Sequence, residues 1–234
     1  MAAGLMIGLS MGAWAQVIAN MPGVESVTIV EINPGYLRLI PEYPDVASVL
    51  AHPRVRIVVD DGRRWLTRHP DARFDFIVAN VTYHWREHVT NLLSREFLQL
   101  VRSRLEPGGA YFYNTTSSPE AYRTGLSVFR YGMRVVNFLA VSDRPLRFRP
   151  EVFAATVTGT RVDGRPLIDP SHPAERRRLE ELIAFLTPPG TPDSAAALED
   201  GADLRRRFAH ARVITDDNMA AEWSVVSGPV EYPD

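Results

Sequence analysis

Two acids, a loop of small residues and one polar-aromatic run are the parts of this 234-residue chain best suited to chemistry. Gly8-Leu9-Ser10-Met11-Gly12 lets the backbone approach a ligand closely, and Glu31 follows 23 residues after Gly8, at the end of the apolar run Val27-Thr28-Ile29-Val30. A carboxylate at that spacing behind a glycine loop accepts hydrogen bonds from ribose hydroxyls. The expected ligand is therefore an adenosine-containing cofactor, held by Gly8, Ser10, Gly12, Glu31, Ile32, Asp60, Asp61, Gly62 and Asn80. Asp60-Asp61-Gly62 closes the next apolar run, Val55 to Val59, and is expected on the same edge of a sheet. Asp61 either caps the helix that starts at Gly62 or reaches the ligand, and one carboxylate can do both. Asn80-Val81-Thr82-Tyr83-His84-Trp85-Arg86-Glu87-His88 follows Phe74 to Ala79 and is the densest polar-aromatic cluster in the chain. On it, Asn80, Tyr83 and His84 are the catalytic candidates, with His84 the one near-neutral proton acceptor. Near the end, Thr215-Asp216-Asp217-Asn218 offers carboxylates that could hold a cationic amine if the loop folds back over the sheet edge; Asp217 joins the catalytic candidates.

Gly8-x-Ser10-x-Gly12 also spells the nucleophile elbow of serine hydrolases, for which Asp169 and His172 could complete a triad. The elbow normally follows several strands, whereas at most one precedes it here. An acid-ended strand after the loop is foreign to that template. The glycine loop is the better reading.

Composition narrows the chemistry further. All 26 basic side chains are arginine, so no lysine can form a Schiff base or act as a general base. With no cysteine there is no disulfide, thiolate nucleophile or zinc–cysteine site, and no metal is expected. A formal charge of −2 gives no electrostatic reason to expect nucleic acid or an anionic membrane as partner. Residues 2–19 are largely apolar, but Gly4, Gly8, Ser10, Gly12 and Gln16 interrupt them and no basic stretch precedes them, unlike a signal peptide or membrane span.

The elements that must position these residues follow from periodicity. Strands are expected at Leu5 to Ile7, Val27 to Glu31, Val55 to Asp60, Phe74 to Ala79 and Ala110 to Tyr113, the last after Glu106-Pro107-Gly108-Gly109 stops a helix capped by Ser94. Ala13 to Asn20, Gly62 to His69, Ser94 to Leu105, Ala174 to Leu186 and Ala195 to Ala211 read as helices, and Pro34 to His52 as a Pro-rich helical connection. Pro188 to Ser194 reads as a loop, Asp143 to Pro173 as strand and turn, with Val152 to Val162 the best strand candidate. Strands alternating with helices predict an α/β fold with a mostly parallel, Rossmann-like sheet and helices on both faces. Residues 1–142 form the nucleoside-binding core and 143–234 a carboxy-terminal extension packed on the same domain. The sheet begins at the first residues, so an upstream segment, either a small domain or a membrane portion, is expected in the natural protein.

With these pieces in view, the chain resembles the spermidine synthase (polyamine aminopropyltransferase) family, closest to the spermidine-synthase-like domains fused to membrane segments in bacteria. The resemblance runs from Leu5 to Thr116, with a looser echo at Thr215 to Trp223. It is carried by Ile7-Gly8-Leu9-Ser10-Met11-Gly12, Val30-Glu31-Ile32-Asn33, Asp60-Asp61-Gly62-Arg63, Phe74-Asp75-Phe76-Ile77-Val78, Leu93-Ser94-Arg95-Glu96-Phe97 and Leu105-Glu106-Pro107-Gly108-Gly109. It implies a class I methyltransferase-like Rossmann sheet. It implies decarboxylated S-adenosylmethionine or S-adenosylmethionine as co-substrate, with the glycine loop near its methionine-derived tail, Glu31 on the ribose and Asp61 on the adenine amino group. It implies a small-molecule amine as acceptor, methylthioadenosine as product, a homodimer, and a cytoplasmic chain or cytoplasmic domain of a membrane-attached protein. One departure stands out: where the family has Asp-Ser-x-Asp, this chain has Asn80-Val81-Thr82-Tyr83. Asparagine accepts no proton, so His84, Asp216 or Asp217 would have to substitute. The alternatives to aminopropyl transfer are methyl transfer from S-adenosylmethionine, which needs alignment more than a strong base, and a non-catalytic nucleoside-binding domain.

Overall fold

In the computed structural model, residues 1–80, 89–187 and 198–218 are described. Five strands, β1 (Ala2–Ile7), β2 (Val24–Glu31), β3 (Val55–Val59), β4 (Phe74–Ala79) and β5 (Leu105–Asn114), pair in parallel. β6 (Tyr131–Val135) and β7 (Phe138–Ser142) add an antiparallel hairpin beside β5. β8 (Arg161–Val162) and β9 (Arg165–Pro166) form a separate ribbon, and β10 (Leu198–Asp200) edges the main sheet next to β6. The sheet order is β10-β6-β7-β5-β4-β1-β2-β3, a mostly parallel Rossmann arrangement of the methyltransferase type. The chain runs outward from β1 through β2 to β3, then returns to β4 on the other side. The crevice above β1 and β4 is therefore the switch point at which open α/β sheets take their ligands.

Alternation of side chains along β1 sends Leu5 and Ile7 to one face and Met6 to the other, and two cores result. Met6 joins Leu9, Ala15, Ala19, Ile29 and Ile40 beneath α1 (Ala13–Asn20), α2 (Gly35–Leu39) and α3 (Pro44–Ala47). Leu5 and Ile7 pack with residues of α4 (Gly62–Arg68), α5 (Arg95–Arg102) and α6 (Pro119–Val128), including Leu66, Phe97, Leu98 and Leu126. Ser94 caps α5 as expected, its hydroxyl accepting from the Phe97 N–H at 3.2 Å. Leu204 of a later helix, Gly201–Arg207, completes this core.

Three expectations are corrected. Val152 to Val162 is largely helical: α7 spans Pro150–Gly159. Proline and Glu151 suit its first turn. Its threonines, strand-like in composition, bond back along the helix, Thr156 Oγ1 to the Val152 carbonyl and Thr158 Oγ1 to that of Ala154, both at 2.8 Å. Phe153, Ala154 and Val157 pack on Leu179, Leu182 and Ile183 of α8 (Pro173–Leu186), so tertiary burial outweighs β-propensity. Ala195 to Ala211 is not one helix, because β10 precedes α9 (Gly201–Arg207), which Asp200 caps through the Ala202 N–H at 2.7 Å. Finally, β5 begins at Leu105 rather than Ala110. A register shift opposite Asp75, between the pairs Phe74–Leu105 and Phe76–Ala110, absorbs the Pro-Gly-Gly turn. The Pro188 to Ser194 loop lies outside the described residues.

Cover on the α1 face is incomplete among the described residues. A hollow of about 730 Å³ runs along α1 over the sheet, walled chiefly by Val17, Ile18, Met21, Phe76, Val78 and Phe112. Trp14 leans over its rim, stacked on Phe138 at 5.3 Å and on Phe112 at 6.5 Å between ring centroids. Among the described residues no helix is long and apolar enough to cross a membrane.

Candidate functional site

A second hollow, of about 840 Å³, opens at the carboxyl ends of β1 to β4, in the size range of small-molecule sites. Gly8, Ser10 and Gly12 line it together with Glu31, Ile32, Asp61, Gly62 and Asn80. The loop reaches this shape because Gly8, Ser10 and Gly12 all adopt positive φ, at +92°, +49° and +86°, two of them affordable only to glycine. Glu31 holds it there. Its Oε2 accepts from the N–H groups of Leu9 at 2.6 Å and Ser10 at 3.1 Å, and its Oε1 from that of Asn33 at 2.7 Å. Only 3% exposed, this carboxylate ties the glycine loop to the end of β2. A carboxylate offers about four acceptor positions, so one remains for a ligand hydroxyl.

Asp61 caps α4, its Oδ1 accepting from the Arg64 N–H at 2.7 Å, while its Oδ2 accepts from no described residue. Both roles foreseen for this side chain are compatible. Ile32 is 63% exposed and supplies an apolar surface beside the two acids. Asp60 stands off the wall: it pairs with Arg64 and accepts from the Asp61 N–H at 2.8 Å. The donor set fits an adenosyl group, with acids for hydroxyls and an amino group and a hydrocarbon edge for a planar base. Among the described residues there is no cluster of three metal-ligating side chains.

The carboxy-terminal segment does fold back over the rim, through Asp216 and not Asp217. Arg63, in the first turn of α4, grips Asp216 with both guanidinium ends and donates to the Asn91 carbonyl at 3.1 Å. Arg63, Asn91, Leu92 and Asp216 all line the hollow. The Asp216 N–H donates to Glu96 at 3.0 Å, and Ile214 is fixed by main-chain bonds to Thr124 Oγ1 and from Arg95 N–H, both at 2.8 Å. Hydrogen bonding from Arg63 holds the Asp216 carboxyl below the ordinary 3.8, and Asp216 in turn raises the Arg63 guanidinium. Asp217 is exposed and off the wall.

At the tip of β4, Asn80 lines the hollow and its Oδ1 accepts from Asn114 Nδ2 at 3.0 Å. Tyr83 and His84 lie outside the described residues. Asp169 and His172 bond each other at 3.2 Å and do not line the hollow around Ser10, so no hydrolase triad forms there. Arg63 and Asn114 carry no local sequence signal of a place in the site. Arg63 sits inside the quoted Asp60-Asp61-Gly62-Arg63 run, but its partner is 153 positions away, beyond any local pattern.

A family model described as Spermine/spermidine synthase domain matches residues 5–130. A polyamine aminopropyltransferase of Mycobacterium tuberculosis is 31% identical over 133 residues, which are 54% of this chain and 25% of that protein. The chain thus spans about a quarter of the length of this relative. Among solved structures, a probable spermidine synthase from Corynebacterium glutamicum superposes with a TM-score of 0.62 at 18% identity, over 99% of this chain and 75% of the other. Human methyltransferase-like protein 13 in complex with SAH superposes at 0.51 and 17% identity, over 83% of this chain and 86% of the other. At these identities the two structures speak to fold alone.

Proposed function

Because the chain belongs to the spermine/spermidine synthase domain family, we propose that its rim hollow binds an adenosyl sulfonium and that the protein transfers an alkyl group, aminopropyl by family, to a small-molecule amine. The observation that supports this reading most is that Glu31 and Asp61, from neighbouring strand ends, line one open hollow at the switch point. Asp61 would meet the adenine amino group and Glu31 the ribose, with Ile32 against the base. Decarboxylated S-adenosylmethionine supplies the propyl carbon: amine attack there breaks the carbon–sulfur bond, the electron pair stays on sulfur, and methylthioadenosine leaves. The chain's own part is alignment. The glycine loop carries backbone to the tail of the ligand, Asn80 stands at the β4 tip, and Arg63 with Asp216 walls the side by α4.

A second reading is methyl transfer from S-adenosylmethionine, and Asn80 favours it, since an amide supplies neither a base nor a charge for a cationic amine. Calorimetry with both cofactor forms, followed by mass spectrometry on a panel of diamines, separates the two. Tighter binding of the decarboxylated form with aminopropylated product supports the first. Tighter binding of the carboxylated form with methylated product supports the second. Failure to bind methylthioadenosine would remove both.

A further inference from the structure

Three amides form a chain that begins at the rim hollow and ends in the β6–β7 turn, and its hydrogen bonds have a fixed sense. The Thr116 main-chain N–H, which only donates, points at Asn114 Oδ1 at 2.8 Å, and Asn137 Nδ2 points at the same oxygen at 2.9 Å. Asn114 is buried, so its oxygen is committed to that side and its nitrogen to the other. That nitrogen faces Asn80, which must answer with its oxygen, at 3.0 Å. The orientation of each amide thus follows from one unambiguous donor, without any free choice of flip. It leaves the Asn80 NH2 group, exposed on the wall of the hollow and bonded to no described residue, as the face shown to a ligand.

We infer that Asn80 is a specificity-determining residue whose donor face takes a hydrogen-bond acceptor, a carboxylate or hydroxyl, and disfavours an ammonium, with Asn114 as the positioning residue that sets its orientation. An ammonium carries donors only and finds no partner there. This rests on the adenosyl-sulfonium reading above and divides it: a carboxylated co-substrate at Asn80 goes with methyl transfer, and an oxygen-bearing second substrate there with aminopropyl transfer. The acceptor group has two sources, the α-carboxylate of S-adenosylmethionine or an oxygen of the second substrate.

The test is calorimetry on the full chain and on Asn80→Asp and Asn114→Asp, with S-adenosylmethionine, decarboxylated S-adenosylmethionine and, as the reference lacking both groups, methylthioadenosine. In Asn114→Asp the new carboxylate would still accept from Thr116 and Asn137 but could no longer donate. Asn80 must then turn its nitrogen inward and its oxygen to the ligand, a reversal that loss of folding does not mimic. The expected result is a preference of about tenfold or more for the carboxylated form in the parent, the size of one hydrogen bond to a charged group, inverted in both variants. If the parent binds both forms equally, but putrescine binds the methylthioadenosine-saturated protein only in the two variants, the acceptor oxygen belongs to the second substrate. A tenfold preference of the parent for the decarboxylated form overturns the inference. So do cofactor ratios and putrescine binding that both stay the same in the two variants while methylthioadenosine still binds. Absence of methylthioadenosine binding in the parent removes the adenosyl reading itself.

Discussion

Glu31 does two jobs with one carboxylate, and this sets what its removal should do. Three backbone N–H groups depend on it, so Glu31→Ala leaves donors of Leu9, Ser10 and Asn33 without their partner. Hydrogen bonds to a charged group contribute about 1.5–3 kcal/mol each, and an unmet donor costs a comparable amount. We expect Glu31→Ala to lower the unfolding free energy by about 3 kcal/mol and to weaken methylthioadenosine binding at least tenfold, checked by urea denaturation and calorimetry. An unchanged dissociation constant would take Glu31 out of the site. Asp216 makes a different kind of contribution. Its folded-state pKa is lowered by Arg63, so the pair stabilises the native state above the ordinary carboxylate value of 3.8 and is lost as pH falls through the folded value. The stability gap between the parent and Asp216→Asn should therefore be present at neutral pH and close on acidification below about pH 4, as read from denaturant midpoints across pH. A gap that persists unchanged in acid would show that the ion pair is not its source.

Among the elements, the β6–β7 hairpin turns through Val136 at φ +57°, a conformation that a β-branched side chain adopts at a cost. Val136 is 44% exposed and its carbonyl, not its side chain, takes the bonds from Tyr122 and Arg134. Val136→Asn should stabilise the protein by about 1 kcal/mol, seen as a higher urea midpoint with the slope unchanged; a lower midpoint would mean that the turn is not strained. Local rules read from sequence recovered most elements near the site: the glycine loop, the acid-ended β2, the Asp61 and Ser94 caps and β4 residue for residue. They missed α7, because six of the eleven residues from Val152 to Val162 are β-branched and read as a strand until packing on α8 is known. They could not reveal that Asp216 meets Arg63 or that Asn114 fixes Asn80, since such pairs depend on where distant strands lie. Asn114 falls beside Asn80 because Tyr113 pairs with Ala79 in parallel register, a fact that only the assembled sheet supplies.

At the scale of the molecule, the two hollows share Ala13 and Trp14, so the first turn of α1 separates the polar rim from the apolar groove along the sheet. Parallel strands are ordinarily covered on both faces, yet between α1 and the sheet Phe76, Val78 and Phe112 line an unfilled apolar groove. Produced by itself, the chain should therefore be a sticky sample. An anilinonaphthalene sulfonate dye is expected to brighten on mixing and Trp14 emission to shift as it does so, while Val17→Glu should dim the dye and leave methylthioadenosine affinity intact. Absence of dye fluorescence in the parent would mean that the flank is already dry. Whoever purifies this polypeptide should accordingly watch monodispersity before activity, because a preparation that clumps through the back of the sheet could pass for one whose catalytic rim is broken.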